Sequence, residues 1–434
     1  MGNTSRRRRR LFHAAAVPII VGLVLAAACS TPSETIGPGV TSAPCPNAID
    51  REKGCIYLGV LSDLGGGPFA MLGRAMQDGQ TAFWTEVNKA GGIGGYEVDI
   101  STYARDTAYD PRRHLEAFRE IRPNVLALAM SLGTAQTLAV LQEMDAADIV
   151  TSAGTLWSGW AYPEADLNLV LDSGYSYCTE AIMGLDWFAE HQYRPHNLAV
   201  IGFRGNYGGD YSNGALRWAA QNNVLVTSRI DTGPNAEVGN QDRPVAEILA
   251  NPPDLVLLAT GPVETAEIVG KLVAAGYKGR FLGSAPTWSG ALLKTPAGPA
   301  LSALYNFTSP VDGWGGDSAG ARRARAAAPQ EPANWGYSLG WAVSYTMRAL
   351  LTKAAAHGPL NRAGVRAAQD ALTVDFEGMA APHTYNTGAP DYAAQRAVIG
   401  APDPSAPLGS RTVAIDYRGP TLPQLPMHGP CVRL

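Results

Sequence analysis

The sequence has no bilayer-spanning stretch, no metal cage and no excess of positive charge. A membrane-crossing helix needs about 20 apolar residues in a row, and the apolar run from roughly Ala14 to Ala28 is too short. The seven histidines are scattered without a two-ligand spacing, and the five cysteines show no metal-ligand spacing, so no metal site is predicted. Five of the 34 Lys and Arg residues fall in Arg6 to Arg10, which leaves 29 against 38 Asp and Glu, a net charge of −9 downstream. That balance argues against a nucleic-acid partner. No period of 20 to 50 residues repeats, which argues against a solenoid.

What is present begins with an export signal. The basic stretch Arg6 to Arg10, the apolar run and the small residues before Cys29 form its three parts. The sequence Leu25-Ala26-Ala27-Ala28-Cys29 reads as a lipobox, predicting cleavage after Ala28 and lipid attachment to the Cys29 thiol. Two or three acyl chains hold a protein on a membrane where one binds only marginally. The paired arginines also permit twin-arginine export. The chain is therefore expected to be extracytoplasmic and lipid-anchored to the cell membrane. In that oxidising setting Cys45, Cys55, Cys178 and Cys431 allow two disulfides. Pairing Cys45 with Cys55 would staple the linker to the first strand, and pairing Cys178 with Cys431 would pin the carboxyl tail; three pairings are open.

Residues 29–53 are rich in Pro, Ser, Thr and Gly and read as a flexible tether. Beyond them, short apolar runs alternate with amphipathic stretches. Strands are predicted at 56–61, 96–103, 125–130 and 149–152, with a helix carrying Leu72, Met76, Phe83 and Val87 on one face, a helix opened by Asp110-Pro111, and a helix at 134–147. After Asp172 the pattern resumes: helix 177–191, strand 198–203, helix 209–222, strand 224–229, helix 243–250, strand 255–259, helix 263–275 and strand 280–283. From about Leu301 only one helix, 335–353, stands out, followed by Pro- and Gly-rich extended chain. The alternation predicts an α/β protein with two doubly wound parallel-sheet units and a ligand cleft at their strand ends.

Three loops at strand ends concentrate small hydroxyl residues: Ser131 to Thr134, Ser152 to Thr155 and Ser284 to Thr287. Their hydroxyls and free backbone N–H groups suit a carboxylate or carbonyl oxygen.

The run Leu58-Gly59-Val60-Leu61 to Gly73, the stretch Ala75 to Tyr96, Asp106 with Asp110-Pro111, the Ser131 to Thr137 loop and the stretch Asp148 to Thr155 resemble the type I periplasmic binding proteins of the leucine/isoleucine/valine-binding group, substrate receptors of ABC importers. The resemblance implies two α/β lobes joined by a three-crossing hinge: 54–172 with about 308–375, and about 173–307 with about 376–434. It also implies a small-molecule ligand, a permease and ATPase as partners, no catalysis and no cofactor. Thr134, Ala153 and Thr155 match the positions that bind a ligand carboxylate, and Tyr207 in Asn206-Tyr207-Gly208 matches the covering aromatic.

One position departs from that pattern. Amino-acid receptors of this group place a glutamate after the Phe281-Leu282-Gly283 strand to pair with the ligand ammonium, and here that position is Ala285. Burying an ammonium without a partner costs several kcal/mol, which argues for an amide, an organic acid or an apolar compound unless Asp63 or Asp172 supplies the charge. Phe69, Trp157, Trp160, Trp288 and Trp314 fall in loops or at strand ends and, with Thr287, are further candidates for a ligand surface.

Two other readings use the same residues. A ligand-sensing receptor would share the fold. A serine hydrolase would use Gly336-Tyr337-Ser338-Leu339-Gly340 as a nucleophile elbow, with His357, His383 or His428 as base. The elbow needs a buried strand before the serine, and Arg322 to Trp335 cannot form one; Ser338 is expected within a helix.

Overall fold

A computed structural model describes residues 35–172, 175–386 and 395–433. The predicted export signal and Cys29 lie outside the described residues, as does the start of the predicted tether. No helix among the described residues is long and apolar enough to cross a membrane.

The first sheet holds β1 (Thr35–Gly37), β2 (Val40–Thr41), β3 (Gly54–Ser62), β4 (Tyr96–Asp99), β5 (Ala104–Asp106), β6 (Ala127–Ser131), β7 (Thr151–Ala153) and β8 (Val170–Leu171). Strand β3 pairs in parallel with β4, β5 and β6, and β6 continues through β7 to β8. Helices α1 (Ala70–Lys89), α2 (Pro111–Ile121), α3 (Thr134–Asp145) and α4 (Pro163–Asp166) link these strands. Strand β6 is buried at every position, as a parallel strand covered on both faces must be.

The second sheet runs β10-β9-β11-β12-β13 and then β16 (Ala397–Pro402) and β17 (Ser410–Tyr417). Its parallel part is β9 (Asn197–Phe203), β10 (Leu225–Thr232), β11 (Leu255–Ala259), β12 (Arg280–Gly283) and β13 (Tyr305–Ser309). The connecting helices are α5 (Tyr177–His191), α6 (Asn206–Asn222), α7 (Asn235–Val238), α8 (Asp242–Ala250), α9 (Pro262–Ala274) and α10 (Gly298–Leu304). Ser176 and Thr179 form a reciprocal capping box that starts α5 directly after the chain leaves the first sheet. Asp110 caps α2 by accepting from the N–H groups of Arg112 and Arg113, as its position before Pro111 predicts.

The third section is richer than its sequence suggests. It holds α11 (Ala319–Ala327), α12 (Gly336–His357), α13 (Arg362–Ala367), the two-stranded β14 (Thr373–Val374) and β15 (His383–Thr384), and then β16 (Ala397–Pro402) and β17 (Ser410–Tyr417). The last two extend the second sheet in antiparallel fashion. Gly400 and Pro402 hide β16 from propensity, and its pairing with the distant β13 is what makes it a strand.

Two expectations need correction. Residues 35–53 are ordered, because β2 pairs with β3, Val40 is buried, Cys45 is bridged to Cys55, and the Glu97 carboxylate accepts from the N–H groups of Ile49 and Asp50. The expected return to the second sheet near 376 comes later, since Phe376, Met379 and Tyr385 pack into the core of the first sheet. The chain thus passes between the two cores after Leu171, near Pro310, and between Asn386 and Ala397.

Helix α12 lies against α1 through glycines. A Cβ on Gly79 would come within 2.0 Å of the Tyr337 carbonyl oxygen, and one on Gly340 within 1.9 Å of that of Met76. The Gly-x-Ser-x-Gly motif therefore serves a close helix crossing. Ser338 is buried inside α12, as expected, with no strand before it.

Candidate functional site

Strand ends from both sheets meet at one polar and aromatic cluster. From the first sheet come Thr134, opening α3 after β6, and Thr155, just after β7. Their hydroxyl oxygens lie 3.0 Å apart and both residues are buried. Gly133, with φ +98°, makes the turn into α3, and a Cβ there would sit 2.1 Å from the Gln136 Oε1. Behind the loop, the His114 Nε2 meets the Ser131 Oγ at 3.0 Å, Ser131 meets the Thr137 hydroxyl at 2.7 Å, and Thr137 donates to the Gly133 carbonyl. Burial pushes His114 down to about 3, so its ring is neutral and the network carries no charge.

Tyr109 reaches the same place from the loop before α2. Its backbone is left-handed, φ 58°, as is that of Ala108, and the Gln136 side chain donates to the Tyr109 carbonyl at 2.5 Å. The strained turn sets the Tyr109 ring 4.8 Å from that of Phe69. Phe69 belongs to the core of the second sheet although its chain belongs with the first.

The second sheet contributes Tyr177, in the first turn of α5, and Tyr207, in the first turn of α6. Their rings lie 4.6 Å apart, and the Tyr207 hydroxyl donates to the Thr260 carbonyl at 3.2 Å. The Tyr177 hydroxyl interacts with Thr155. Burial raises the phenols of Tyr109, Tyr177 and Tyr207, so all stay neutral donors.

Sequence reasoning missed Glu180. One turn after Tyr177, its fully buried carboxylate accepts from the Ala285 N–H at 2.7 Å, the Thr308 hydroxyl at 2.5 Å and the Ser284 hydroxyl at 2.8 Å. Burial, the largest influence, outweighs these donors and pushes Glu180 up to about 8. A carboxyl group does lie against Ala285, supplied by α5 from 105 residues earlier in the chain, but burial keeps it protonated at neutral pH, so it adds a neutral acid and not the negative partner an ammonium needs. The available signal was an acid inside the otherwise apolar face of α5. Tyr175 lies buried close to Glu180 and Thr308.

Other predicted residues have different surroundings. The Asp63 carboxylate accepts from the N–H groups of Gly67 and Phe69, both at 2.9 Å, and so shapes its own loop. The Asp172 carboxylate lies 3.8 Å from the His383 ring, and its backbone carbonyl accepts from Tyr385. Ala153 ends β7 and is buried beside the Thr155 turn. Thr287 bonds Ser284 and Tyr305, while Trp288 stacks on Phe307 at 5.2 Å within a core cluster of the second sheet. Both belong to the 3-10 turn Ala285–Thr287 and its C-cap, Trp288. Trp157 and Trp160 pack edge to face at 4.9 Å, and Trp314 lies against Tyr337.

The hydrolase candidates do not converge. The His357 ring bonds the Lys353 carbonyl of its own helix, His428 is exposed and His383 lies near Asp172, while the Ser338 hydroxyl is buried without a partner. Among the described residues, no group of three or more His, Cys, Asp or Glu is placed to hold a metal ion. The cluster can bind oxygen atoms through hydroxyls and cover a ligand with aromatic rings.

The sequence profile of a family described as periplasmic binding protein matches residues 56–399. No curated protein matches the chain. Among solved structures, a fatty acid ABC transporter substrate-binding protein from Thermomonospora curvata is 26% identical with a TM-score of 0.78, covering 90% of this chain and 96% of its own. A solute-binding protein of an ABC transporter from R. palustris, in complex with 4-hydroxybenzoate, has a TM-score of 0.70 at 13% identity, covering 86% of this chain and all of its own. A branched chain amino acid ABC transporter protein from Thermus thermophilus with bound valine gives 0.70 at 14%, covering 85% and 98%. At these last two identities the likeness concerns the fold.

Proposed function

The chain belongs to the periplasmic binding protein family, and from that premise we propose that it is the extracytoplasmic solute-binding lipoprotein of an ABC importer. It captures one small solute between two lobes and presents it to a membrane permease served by a separate ATPase. The first lobe is residues 54–172 with about 310–385, and the second is about 175–309 with about 397–433. Cys29 carries the lipid that keeps the receptor beside its permease at high effective concentration.

The observation that carries this reading is the meeting of Thr134 and Thr155, 3.0 Å apart on one sheet, with the Tyr177 and Tyr207 rings of the other. Two hydroxyls and the N-terminus of α3 suit a carboxylate or carbonyl oxygen of the ligand. Phe69, Tyr109, Tyr177 and Tyr207 then enclose its apolar body. The fatty acid named for the T. curvata relative, and the hydroxybenzoate and valine bound by the two others, share an oxygen head on an apolar body.

A thermal-shift screen tests the proposal. The panel holds leucine, valine, simple amides, 4-hydroxybenzoate and octanoate, because a ligand that binds only the folded state raises Tm. At least one class is expected to raise it in a dose-dependent way; a flat response to every class refutes capture in this cleft. Lipidation is tested separately by mass spectrometry of the membrane-bound chain, where a diacylated Cys29 is expected and Cys29→Ala abolishes it.

A further inference from the structure

The carboxyl-terminal segment 418–433 touches both lobes in unequal ways. To the second lobe it is bound covalently and through core packing. Cys431 is bridged to Cys178 in α5, Leu422 and Cys431 enter the second core, and Thr421 donates to the Asp186 carboxylate from both its N–H and its hydroxyl. Asn213 of α6 donates to the Cys431 carbonyl at 2.5 Å.

Toward the first lobe it makes hydrogen bonds. The Cys431 N–H donates to the Ser158 hydroxyl at 2.8 Å, the Trp157 indole N–H donates to the Val432 carbonyl at 3.0 Å, and the Tyr162 hydroxyl donates to the Met427 carbonyl at 3.3 Å. Between the segment and this lobe runs an open groove of about 400 Å³, flanked by Leu138, Trp157, Glu164, Ala165, Pro430 and Arg433. The two surfaces are joined by directional bonds around a gap.

At the centre of this junction is Asp210 of α6, fully buried. Its carboxylate accepts from the Ser158 N–H at 2.9 Å and the Ser158 hydroxyl at 2.5 Å, both from the first lobe. It also accepts from the N–H groups of Cys178 and Val432, both from the second lobe's side. Three pieces of chain thus converge on one carboxylate. Two of its four donors leave if the lobes separate. Ser158 lies three residues after Thr155, so its capture fixes the loop that carries the ligand-facing threonine.

We propose that residues 418–433 form a closure latch. The Cys178–Cys431 bridge holds the segment on the second lobe, where the Cys431 N–H and Asp210 present a ready-made cradle for Ser158, and closing the lobes seats Ser158 in it and sets Thr155 against Tyr177. The latch rests on the two-lobe reading above and gives it a closing contact outside the ligand cluster. Ser158 is a positioning residue in this device, since it acts through the Thr155 loop.

Hydrogen exchange of the ligand-free full chain, with small-angle X-ray scattering in parallel, tests the latch. Ser158→Ala removes the hydroxyl that joins Asp210 to the Cys431 N–H. It is expected to speed exchange of the amides from Trp157 to Tyr162 by roughly tenfold and to enlarge the radius of gyration. Ser158→Thr, which keeps the hydroxyl, restores both. A Cys178→Ala/Cys431→Ala variant is expected to release residues 421–433 and the 157–162 loop together; if it fails to fold, the Ser158 pair still decides. Unchanged exchange and radius in Ser158→Ala overturn the latch, as does a Ser158→Thr variant as loose as Ser158→Ala. These measurements use no ligand, so a failed ligand screen leaves them standing, and a failed latch leaves capture in the cleft untouched.

Discussion

Replacing Glu180 with Gln isolates the electrostatic cost of the site. The wild-type carboxyl has an ordinary value of 4.5 and is pushed up to about 8 in the fold, chiefly by burial. The acid Asp210 nearby raises it further, and Tyr175, Tyr207, Tyr211 and Tyr305 around it are raised and neutral. Between those two pH values the folded chain holds a proton that the unfolded chain has released. Wild-type stability is therefore highest below pH 4.5 on this account and falls as pH rises toward 8, by about 1.4 kcal/mol per pH unit. The full loss is on the order of 4–5 kcal/mol. Glutamine keeps the geometry, because its oxygen still accepts from Ala285 and Thr308 and its amide still meets Ser284, yet it does not titrate. Glu180→Gln is expected to match the wild type within about 1 kcal/mol at pH 5 and to exceed its stability by several kcal/mol near pH 8.5. For a chain of this size that difference is roughly 5–10 °C in Tm, measurable by calorimetry across pH. Asp166 and Asp210, both pushed up to about 7 by burial, add the same trend to both proteins and cancel in the difference. A wild-type minus variant gap that does not change with pH refutes the assignment of Glu180 as a buried, protonated acid.

Three further outcomes follow from named contacts. Thr134→Val with Thr155→Val is expected to weaken whichever ligand emerges from the screen by roughly 1–3 kcal/mol per lost buried bond, read by calorimetric titration; unchanged affinity places the ligand elsewhere. Gly340→Ala forces a methyl to within 1.9 Å of the Met76 carbonyl, and the α1–α12 crossing is expected to lose about 2–3 kcal/mol in chemical denaturation, with a variant as stable as wild type contradicting the close approach. Cys45→Ala with Cys55→Ala opens a bridge of sequence separation 10 and is expected to cost roughly 2–3 kcal/mol while raising proteolysis between residues 35 and 53; an uncut, equally stable variant shows that strand pairing alone holds that segment.

The sequence alone carried much of the fold because its signals are local. Parallel strands such as β6 and β11, apolar at nearly every position, need no partner to be recognised. Asp110 before Pro111 announces a helix start within three residues. Thr134, Thr155 and Tyr207 follow strands directly, and their loops resemble those of known receptors. The four cysteines could be counted, but their pairing was open until the fold brought Cys45 to Cys55 and Cys178 to Cys431.

Tertiary structure decided the rest, for a physical reason common to each case. Strands β16 and β17 interrupt their Val, Ile, Thr and Tyr residues with Gly400, Pro402, Arg411 and Asp416, and they join the sheet because β13 offers a free edge to β16. Residues 35–53 have the composition of a linker, yet a disulfide and the Glu97 carboxylate hold them in place. Glu180 is one residue of a helix face until Ser284, Ala285 and Thr308 converge on it from more than 100 residues away. Local sequence sets which segments are strands, helices and turns; which polar groups lose water and find each other depends on long-range packing. That packing turned Ala285, in sequence a missing charge, into the backbone donor for a buried carboxyl.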